Sequence, residues 1–249
     1  MLDQFGRGGK SKETLKMSSD DYTTENKAVI AKYKHDNILR EDYFKNSSKV
    51  NVPITGTFPL KIDNRQLCTP TEYQGDKPYC VGYSAAQLLE AMLWKYTGKL
   101  VNMDAAQIYA KAKEKDGKLA VGGTFVDLGL TCAVNICPEK IIKNWFMVRT
   151  SRERDPRVLK RILHMNDLCM AGFNITEGWY EVNVSNGYTI QQKIPKIGGH
   201  AVLVCGYDEN GVYIQNHWGR DWGAKGFAIL PWKLYEAEFM QLCWLECKQ

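Results

Sequence analysis

One stretch of the chain constrains its fold more than any other. Gln74 precedes Cys80 by six residues, and the cysteine opens an apolar run with helical spacing. The run predicts a helix that ends at Gly98. Its apolar face consists of Ala85, Leu88, Leu89, Met92, Leu93 and Tyr96. Cys80 is therefore expected at a helix N-terminus, where backbone amides and the helix dipole favour a thiolate if the sulfur is not deeply buried.

The composition supports a sizeable folded core and gives little support to nucleic-acid binding. The chain has 249 residues, of which 44% are hydrophobic and 24% are charged. Its formal net charge is +5, and 33 basic residues are interspersed with 28 acidic ones, so there is no long basic block. The N-terminus lacks an apolar signal core, and no stretch approaches the roughly 20 apolar residues of a membrane span. We therefore expect a soluble cytoplasmic protein without nucleic-acid or membrane partners.

The eight cysteines do not suggest a disulfide framework. If one of them is a nucleophile, seven remain, which is an odd number. Cys132 with Cys137, and Cys243 with Cys247, have poor spacing for zinc and no flanking histidines. Buried, reduced thiols that act as small hydrophobic side chains are the preferred interpretation, and no metal site is expected.

The chain divides by composition near residue 50. Residues 1–50 are charged and polar, with weak helical periodicity from 28 to 43, and are expected to form an extension that is packed on the domain or partly disordered. Residues 51–249 are predicted to form the main domain, with helices within 74–170 and antiparallel strands within 171–249. The predicted helices after the first are 103–115, 125–134 and 158–170, and the predicted strands are 173–175, 188–194, 201–205, 212–215 and 226–230.

Helices followed by antiparallel strands are typical of an α+β fold. A hairpin is expected between the strands that flank residues 208–211, because Asn210-Gly211 readily takes the positive φ angles of tight turns.

A second group of motifs lies about half the chain away from Cys80. His200 opens a strand that ends in Gly-Tyr, and Asn216 begins an Asn-x-Trp-Gly-x-x-Trp-Gly pattern that contains Trp218 and Trp222. In order and separation, these parts and the Gln-to-Cys stretch resemble the papain-like cysteine proteases over residues 52–232.

The resemblance implies a two-lobed α+β fold, with a helical lobe and an antiparallel sheet or barrel on either side of an active-site cleft. It implies a cysteine peptidase in which Cys80 is the nucleophile, His200 takes its proton and Asn216 orients the imidazole. The Gln74 side chain and the Cys80 backbone N–H are implied as donors to an oxyanion. No metal or organic cofactor is implied, and the partner is a peptide or protein substrate. Because papain-like zymogens carry a pro-segment ahead of the catalytic domain, residues 1–50 are also a candidate for an autoinhibitory pro-segment.

Five residues are implied to bind substrate or border the cleft: Gly122, Gly123, Gly199, Trp218 and Trp222. The first two resemble the glycine pair that holds an extended substrate by its backbone, although a simple turn before the next helix would look the same. Trp218 is expected to cover the hydrogen bond between the histidine and the asparagine. Trp222 is expected on the leaving-group side, and a core aromatic would give the same pattern.

The chain departs from the family pattern at several positions. Secreted members typically carry a structural cysteine where Lys77 stands, and its absence argues for a reduced compartment. The family usually has a Trp at Val81, commonly an Asp or Asn at Gly199, and a Ser at His217. The departures suggest a distant, microbial or viral branch, and His217 is interpreted as structural. Two other interpretations stay open: the same site acting on another amide, such as an isopeptide or cell-wall peptide, or a catalytically silent peptide-binding protein.

Overall fold

A computed structural model describes residues 47–49, 56–148 and 154–248. The α-helices are α1 (Cys80–Thr97), α2 (Ala105–Asp116), α3 (Val126–Ile136), α4 (Pro156–Asn166) and α5 (Trp232–Glu238). The strands are β1 (Ser47–Lys49), β2 (Ile62–Asp63), β3 (Ile142–Val148), β4 (Cys169–Thr176), β5 (Lys196–Tyr207), β6 (Gly211–Gln215), β7 (Phe227–Pro231) and β8 (Phe239–Cys247). The periodicity noted from 28 to 43 lies outside the described residues.

The strands form one open sheet in the order β1-β3-β8-β4-β5-β6-β7, and β2 pairs with β5. All pairs are antiparallel except β1 with β3. The predicted α+β class is confirmed, with an open sheet rather than a barrel.

Strand β5 separates two hydrophobic cores because both of its faces are covered. Leu203 and Cys205 belong to the core shared with α1, α2 and α3. Val202 and Val204 belong to the core shared with α4 and α5. This alternation follows from the two-residue period of a strand, and it places the N-terminal half of β5 between the two sets of helices. The start of α1 packs against this half of β5.

Helix α1 ends where the sequence predicts. Gly98 caps it in the left-handed conformation with φ of 68°, which glycine adopts without steric cost. Near its start, α1 approaches α2 so closely that a Cβ on Gly82 would lie 2.2 Å from the carbonyl oxygen of Ala105. The absence of a side chain at this position therefore sets the distance between the first two helices.

Two sequence predictions were wrong in detail. The helix predicted over 158–170 ends at Asn166, because Asp167 takes φ of 65° and the chain then enters β4. The strand predicted over 188–194 is an irregular segment with a single bridge between Thr189 and Ile229. Strands β1, β2, β3 and β8 and helix α5 were not predicted, and β3 lies within the range 74–170 that was expected to be helical.

The predicted hairpin joins β5 to β6, but for a different reason than expected. Neither Asn210 nor Gly211 has a positive φ angle. Instead, the Asp208 carboxylate accepts the backbone N–H of Asn210 at 2.8 Å and that of Gly211 at 3.2 Å. The turn is therefore closed by an aspartate side chain together with the backbone hydrogen bond from the Asp208 N–H to the Gly211 carbonyl at 3.0 Å.

Candidate active site

Cys80 is the first residue of α1 and is buried, with 1% of its surface exposed. Burial raises the pKa of its thiol to about 12, and hydrogen bonds from the backbone of Ala201 and Val81 oppose that shift. The condition on which a thiolate was expected, a sulfur that is not deeply buried, is therefore not met. A neutral thiol is favoured at rest, so a base is needed to make it nucleophilic.

His200 lies in β5, where it pairs with Phe173 of β4. Its Nε2 atom lies 2.9 Å from Asn216 Oδ1. The same oxygen accepts the backbone N–H of His217 at 2.9 Å. Because a backbone N–H can only donate, this contact fixes the orientation of the Asn216 amide and assigns the proton to His200 Nε2.

The other ring nitrogen of His200 is left as an acceptor. Nδ1 is buried and has no hydrogen-bond partner among the described residues. Burial lowers the pKa of His200 to about 4, and the hydrogen bond with Asn216 acts in the opposite direction. The imidazole is therefore neutral near pH 7, with a lone pair available to take a proton.

Cys80 and His200 open onto one cavity of about 370 Å³. Its wall includes backbone from Gly172 and Gly199 and the side chain of Met240, and it continues through Thr124, Phe125 and Val126. Gly199 thus lies at the predicted cleft. Gly122 and Gly123 are buried and precede the Thr124–Val126 wall segment.

Aromatic rings that do not line this cavity pack against the imidazole of His200. The Trp218 ring centroid lies 4.7 Å from that of His200, with the planes inclined by 32°. Trp222 contacts Trp218 at 5.6 Å rather than the imidazole. Both tryptophans are buried, at 3% and 5% exposed. Trp218 therefore shields His200 from solvent, and Trp222 packs against Trp218.

Trp179 was not identified from the sequence. It is fully buried in a 3₁₀ turn after β4, and its ring meets His200 edge-on at 5.8 Å. Its indole N–H donates to Glu238 at 2.8 Å, and its carbonyl accepts the Trp222 indole at 2.7 Å. No local motif marks this tryptophan, because its place depends on contacts far along the chain.

Gln74 is held against the segment that carries Asn216. Its backbone N–H donates to the carbonyl of His217 at 2.9 Å, and Tyr73 bridges to Trp218. Its buried side chain donates through Nε2 to the Lys77 carbonyl at 2.6 Å. An amide nitrogen has two N–H groups, so one donor stays available for an oxyanion.

His217 links the cysteine helix to the histidine strand. Its Nε2 lies 3.0 Å from the carbonyl oxygen of Ala201 in β5 and 3.2 Å from the Ser84 hydroxyl in α1. Burial is the main cause that lowers the pKa of His217, and the neighbouring His200 lowers it further, so the ring is neutral. These contacts agree with the structural interpretation.

Cysteine and metal chemistry outside this cavity is limited. Among the residues that the structure describes, no cysteine forms a disulfide, and no three His, Cys, Asp or Glu side chains are grouped as metal ligands. Within the same ranges, no helix has the length and apolar character needed to cross a bilayer.

A cysteine that shares a cavity with a histidine held by an asparagine is the arrangement of thiol-dependent acyl-transfer enzymes. The family model described as papain family cysteine protease matches residues 102–231, which include His200 and Asn216 and begin after Cys80. The chain belongs to the papain family of cysteine proteases.

Relatives and solved structures place the chain at a distance from other members. An uncharacterized peptidase C1-like protein of Acanthamoeba polyphaga mimivirus is 31% identical over 105 residues, covering 38% of this chain and 34% of the viral protein. Mouse cathepsin K is 25% identical over 218 residues, covering 70% of this chain and 60% of its own length. The chain thus spans less than two thirds of either relative.

The fold resembles that of known papain-like structures. The crystal structure of xylellain, a cysteine protease from Xylella fastidiosa, has a TM-score of 0.62 at 17% identity and covers 86% of this chain and 94% of its own. The proform of the Amb a 11 cysteine protease, a ragweed pollen allergen, also has a TM-score of 0.62, at 16% identity, and covers 96% and 81%.

Proposed function

We propose that this chain is a cysteine peptidase that hydrolyses peptide bonds through an acyl-enzyme on Cys80. The observation that carries the proposal is the hydrogen bond of 2.9 Å between His200 Nε2 and Asn216 Oδ1. It leaves Nδ1 unprotonated in a ring that lines the same cavity as the cysteine. The family relationship supports this proposal, as does the likeness of the fold to solved structures named cysteine proteases.

In the proposed reaction, His200 acts first as a base and then as an acid. The Cys80 sulfur attacks the scissile carbonyl carbon, and its proton passes to His200 Nδ1. The carbonyl oxygen becomes an anion that accepts from the Gln74 side chain and the Cys80 backbone N–H. His200 then protonates the amine as the carbon–nitrogen bond breaks. A water molecule, deprotonated by His200, finally cleaves the thioester.

Because Cys80 and His200 are both buried, the pair rests as a neutral thiol and a neutral imidazole. The lone thiolate and the lone imidazolium are each disfavoured by desolvation. Proton transfer from one to the other creates opposite charges together, and their attraction offsets part of that cost. The pH dependence of the pair is therefore a property of both groups.

The cavity next to the cysteine supports an apolar substrate side chain. Phe125, Val126 and Met240 contribute apolar surface to the lining, and the side chain of Val126 packs closely against Gly172. An extended substrate would run along the Gly122–Gly123 backbone, as the family resemblance implies.

Residues 1–46 are proposed to regulate access to this cleft. Three similar solved structures are proforms: the Amb a 11 protease, procathepsin L 3 of Tenebrio molitor and procathepsin B S9 of Trypanosoma congolense. In this chain, β1 lies at the edge of the sheet, separated from β5 by β3, β8 and β4. Deleting residues 1–46 keeps β1, and a gain in peptide cleavage would support autoinhibition, whereas unchanged cleavage would contradict it.

Peptide-library cleavage tests the proposed activity. We expect the intact chain to cleave peptide bonds for which the second residue before the bond has an apolar side chain. The Cys80→Ala chain should cleave none. Cleavage restricted to side-chain amides or cell-wall peptides would favour the alternative amide substrate. Binding of peptides without cleavage by the intact chain would favour the silent binding protein.

A further inference from the structure

A buried lysine connects α2 to the loop that leads into the substrate cavity. Lys113 is 0% exposed and belongs to the last turn of α2. Its ammonium group donates to four oxygen atoms: Asp116 Oδ2 at 3.0 Å and the backbone carbonyls of Lys118 at 2.6 Å, Val121 at 2.9 Å and Gly123 at 3.0 Å. A single side chain thus gathers three carbonyl groups of one loop.

Burial of the Lys113 ammonium group costs free energy unless its charge is fully paired. The ammonium has three N–H groups, and it meets one carboxylate and three carbonyl oxygens within hydrogen-bond distance. Asp116 also accepts the backbone N–H of Lys118 at 2.8 Å, which closes the turn after α2. The charge is therefore satisfied only when residues 118–123 follow their observed path.

The same helix also contacts the other side of Gly123. Tyr109 stands one turn before Lys113 in α2, and the Gly123 backbone contributes a hydrogen bond to its hydroxyl. The Tyr109 ring lies 4.5 Å from that of Tyr79, the residue before Cys80. Gly123 itself takes φ of 76°, which favours glycine. Helix α2 thus fixes this glycine relative to the start of the cysteine helix.

We propose that Lys113 is a positioning residue for substrate main-chain binding. It binds the Gly123 carbonyl and so holds the Gly122–Gly123 backbone, which leads directly into Thr124 and Phe125 of the cavity wall. Lys113 itself does not contact substrate, and its effect reaches the substrate through the carbonyls that it binds. This inference rests on the proposed function, because it assigns the glycine pair to substrate binding.

The test compares Lys113→Met with Lys99→Met. Methionine has a similar length and cannot donate, so it leaves three buried carbonyls without their partner. Lys99 is an exposed lysine paired with Glu139, and its substitution controls for the loss of a surface charge. Lys113→Arg keeps the donors and should restore part of any loss.

Peptide binding is measured on the Cys80→Ala background, so no turnover is needed. The probe is a fluorescein-labelled Ala-Leu-Leu-Ala-Ala peptide, followed by fluorescence anisotropy. We expect Lys113→Met to weaken binding by about tenfold, the scale of one lost hydrogen-bonded contact. In the Cys80-containing chain, KM should rise by a similar factor, kcat should stay within about twofold, and alkylation of Cys80 should be unchanged.

A purely structural role would give a different pattern. Unchanged peptide binding and KM would overturn the proposal, as would a fall in kcat and in Cys80 alkylation at constant KM. If Lys113→Met does not fold, Asp116→Asn probes the same network, because it removes the carboxylate and leaves the ammonium. Smaller weakening of peptide binding is then expected, and no weakening overturns the proposal.

The outcome for Lys113 is distinguishable from that for the peptidase activity. A chain that binds the peptide without cleaving any library peptide contradicts the proposed activity, and the binding series still decides the role of Lys113. A chain that cleaves peptides normally with Lys113→Met contradicts the positioning role alone. Absence of peptide binding in every variant, including the Cys80→Ala parent after deletion of residues 1–46, overturns both.

Discussion

His200 lies in an interior strand of the sheet and Asn216 directly follows the next strand, whereas Gln74 and Gly123 belong to irregular segments fixed by a few polar contacts. Strand β5 pairs with both β4 and β6, and Asn216 directly follows β6. Gln74 is held through the carbonyls of Lys77 and His217, and Gly123 through the buried ammonium of Lys113.

Substitutions are therefore expected to act differently on the residues held by strands and on the residues held by loops. A strand-borne residue is placed by many backbone hydrogen bonds, so its substitution changes chemistry while the strand stays in place. A loop-borne residue is placed by a few contacts, so its substitution or that of its partner can move the backbone. The acid–base pair is therefore expected to be robust in position, and the oxyanion and substrate contacts to be sensitive.

Substitution of Gln74 is expected to have the largest effect on this comparison. Gln74→Ala removes the side-chain donor to the oxyanion, and losing one such donor costs roughly 3 kcal/mol, or about 100- to 1000-fold in kcat. Steady-state peptide cleavage measures this effect. Gln191→Ala removes an exposed glutamine amide and serves as the control. Equal kcat values for the two variants would exclude Gln74 from the oxyanion site.

Substitution of Asn216 is expected to have an intermediate effect. Asn216→Ala leaves His200 Nε2 and the His217 backbone N–H without their shared acceptor, at a cost of about 1–3 kcal/mol, or about fivefold to 150-fold in kcat/KM. The circular dichroism of the sheet should be unchanged, because β5 and β6 keep their pairing. The control is Asn144→Ala, which removes an amide bound to Glu246. Loss of the folded sheet in Asn216→Ala would contradict the strand-borne description.

The smallest expected effect concerns a carboxyl group in the loop before Gln74. Burial, and then the negative charge of Glu90, raise the pKa of Glu72 to about 7. Its Oε2 atom is buried and has no hydrogen-bond partner among the described residues. The unfolded chain loses this proton at lower pH than the folded chain, so the free energy of unfolding should fall as pH rises from about 4.5 to about 7.

Glu72→Gln tests this pH dependence. Urea unfolding at pH 4.5 and pH 7 should show a smaller decrease in the variant than in the parent chain, because glutamine has no proton to lose. Glu209→Gln, at an exposed position in the hairpin, should behave like the parent. An identical decrease in all three chains would show that Glu72 is not held in a costly environment.

The sequence was most informative where local pattern and motif coincide. The spacing of apolar residues and Gly98 predicted α1 to within one residue of its end. The order of the glutamine, cysteine, histidine and asparagine motifs predicted four residues that the fold brings to one region. These signals are local, or they belong to a pattern that spans the whole family.

What the sequence did not reveal depends on distant pairing. Strand β3 pairs with β8, about 100 residues away, and neither strand has a clear alternation of apolar and polar residues. Trp179 and Lys113 occupy their positions through contacts with α5 and with a glycine-containing loop. A lysine in an otherwise solvated helical pattern is normally assigned to the surface, so burial of this one could be recognised only in three dimensions.

The pH dependence of Cys80 alkylation, followed by mass spectrometry in the parent chain and in His200→Ala, tests the central claim most directly. If His200 is the base, with its pKa lowered to about 4 by burial, the parent should react at a nearly constant rate from about pH 5 to pH 8. Without His200, the rate should rise about tenfold per pH unit over that range, because burial raises the pKa of the Cys80 thiol to about 12. Identical profiles for the two chains would contradict the assignment of His200 as the partner of Cys80.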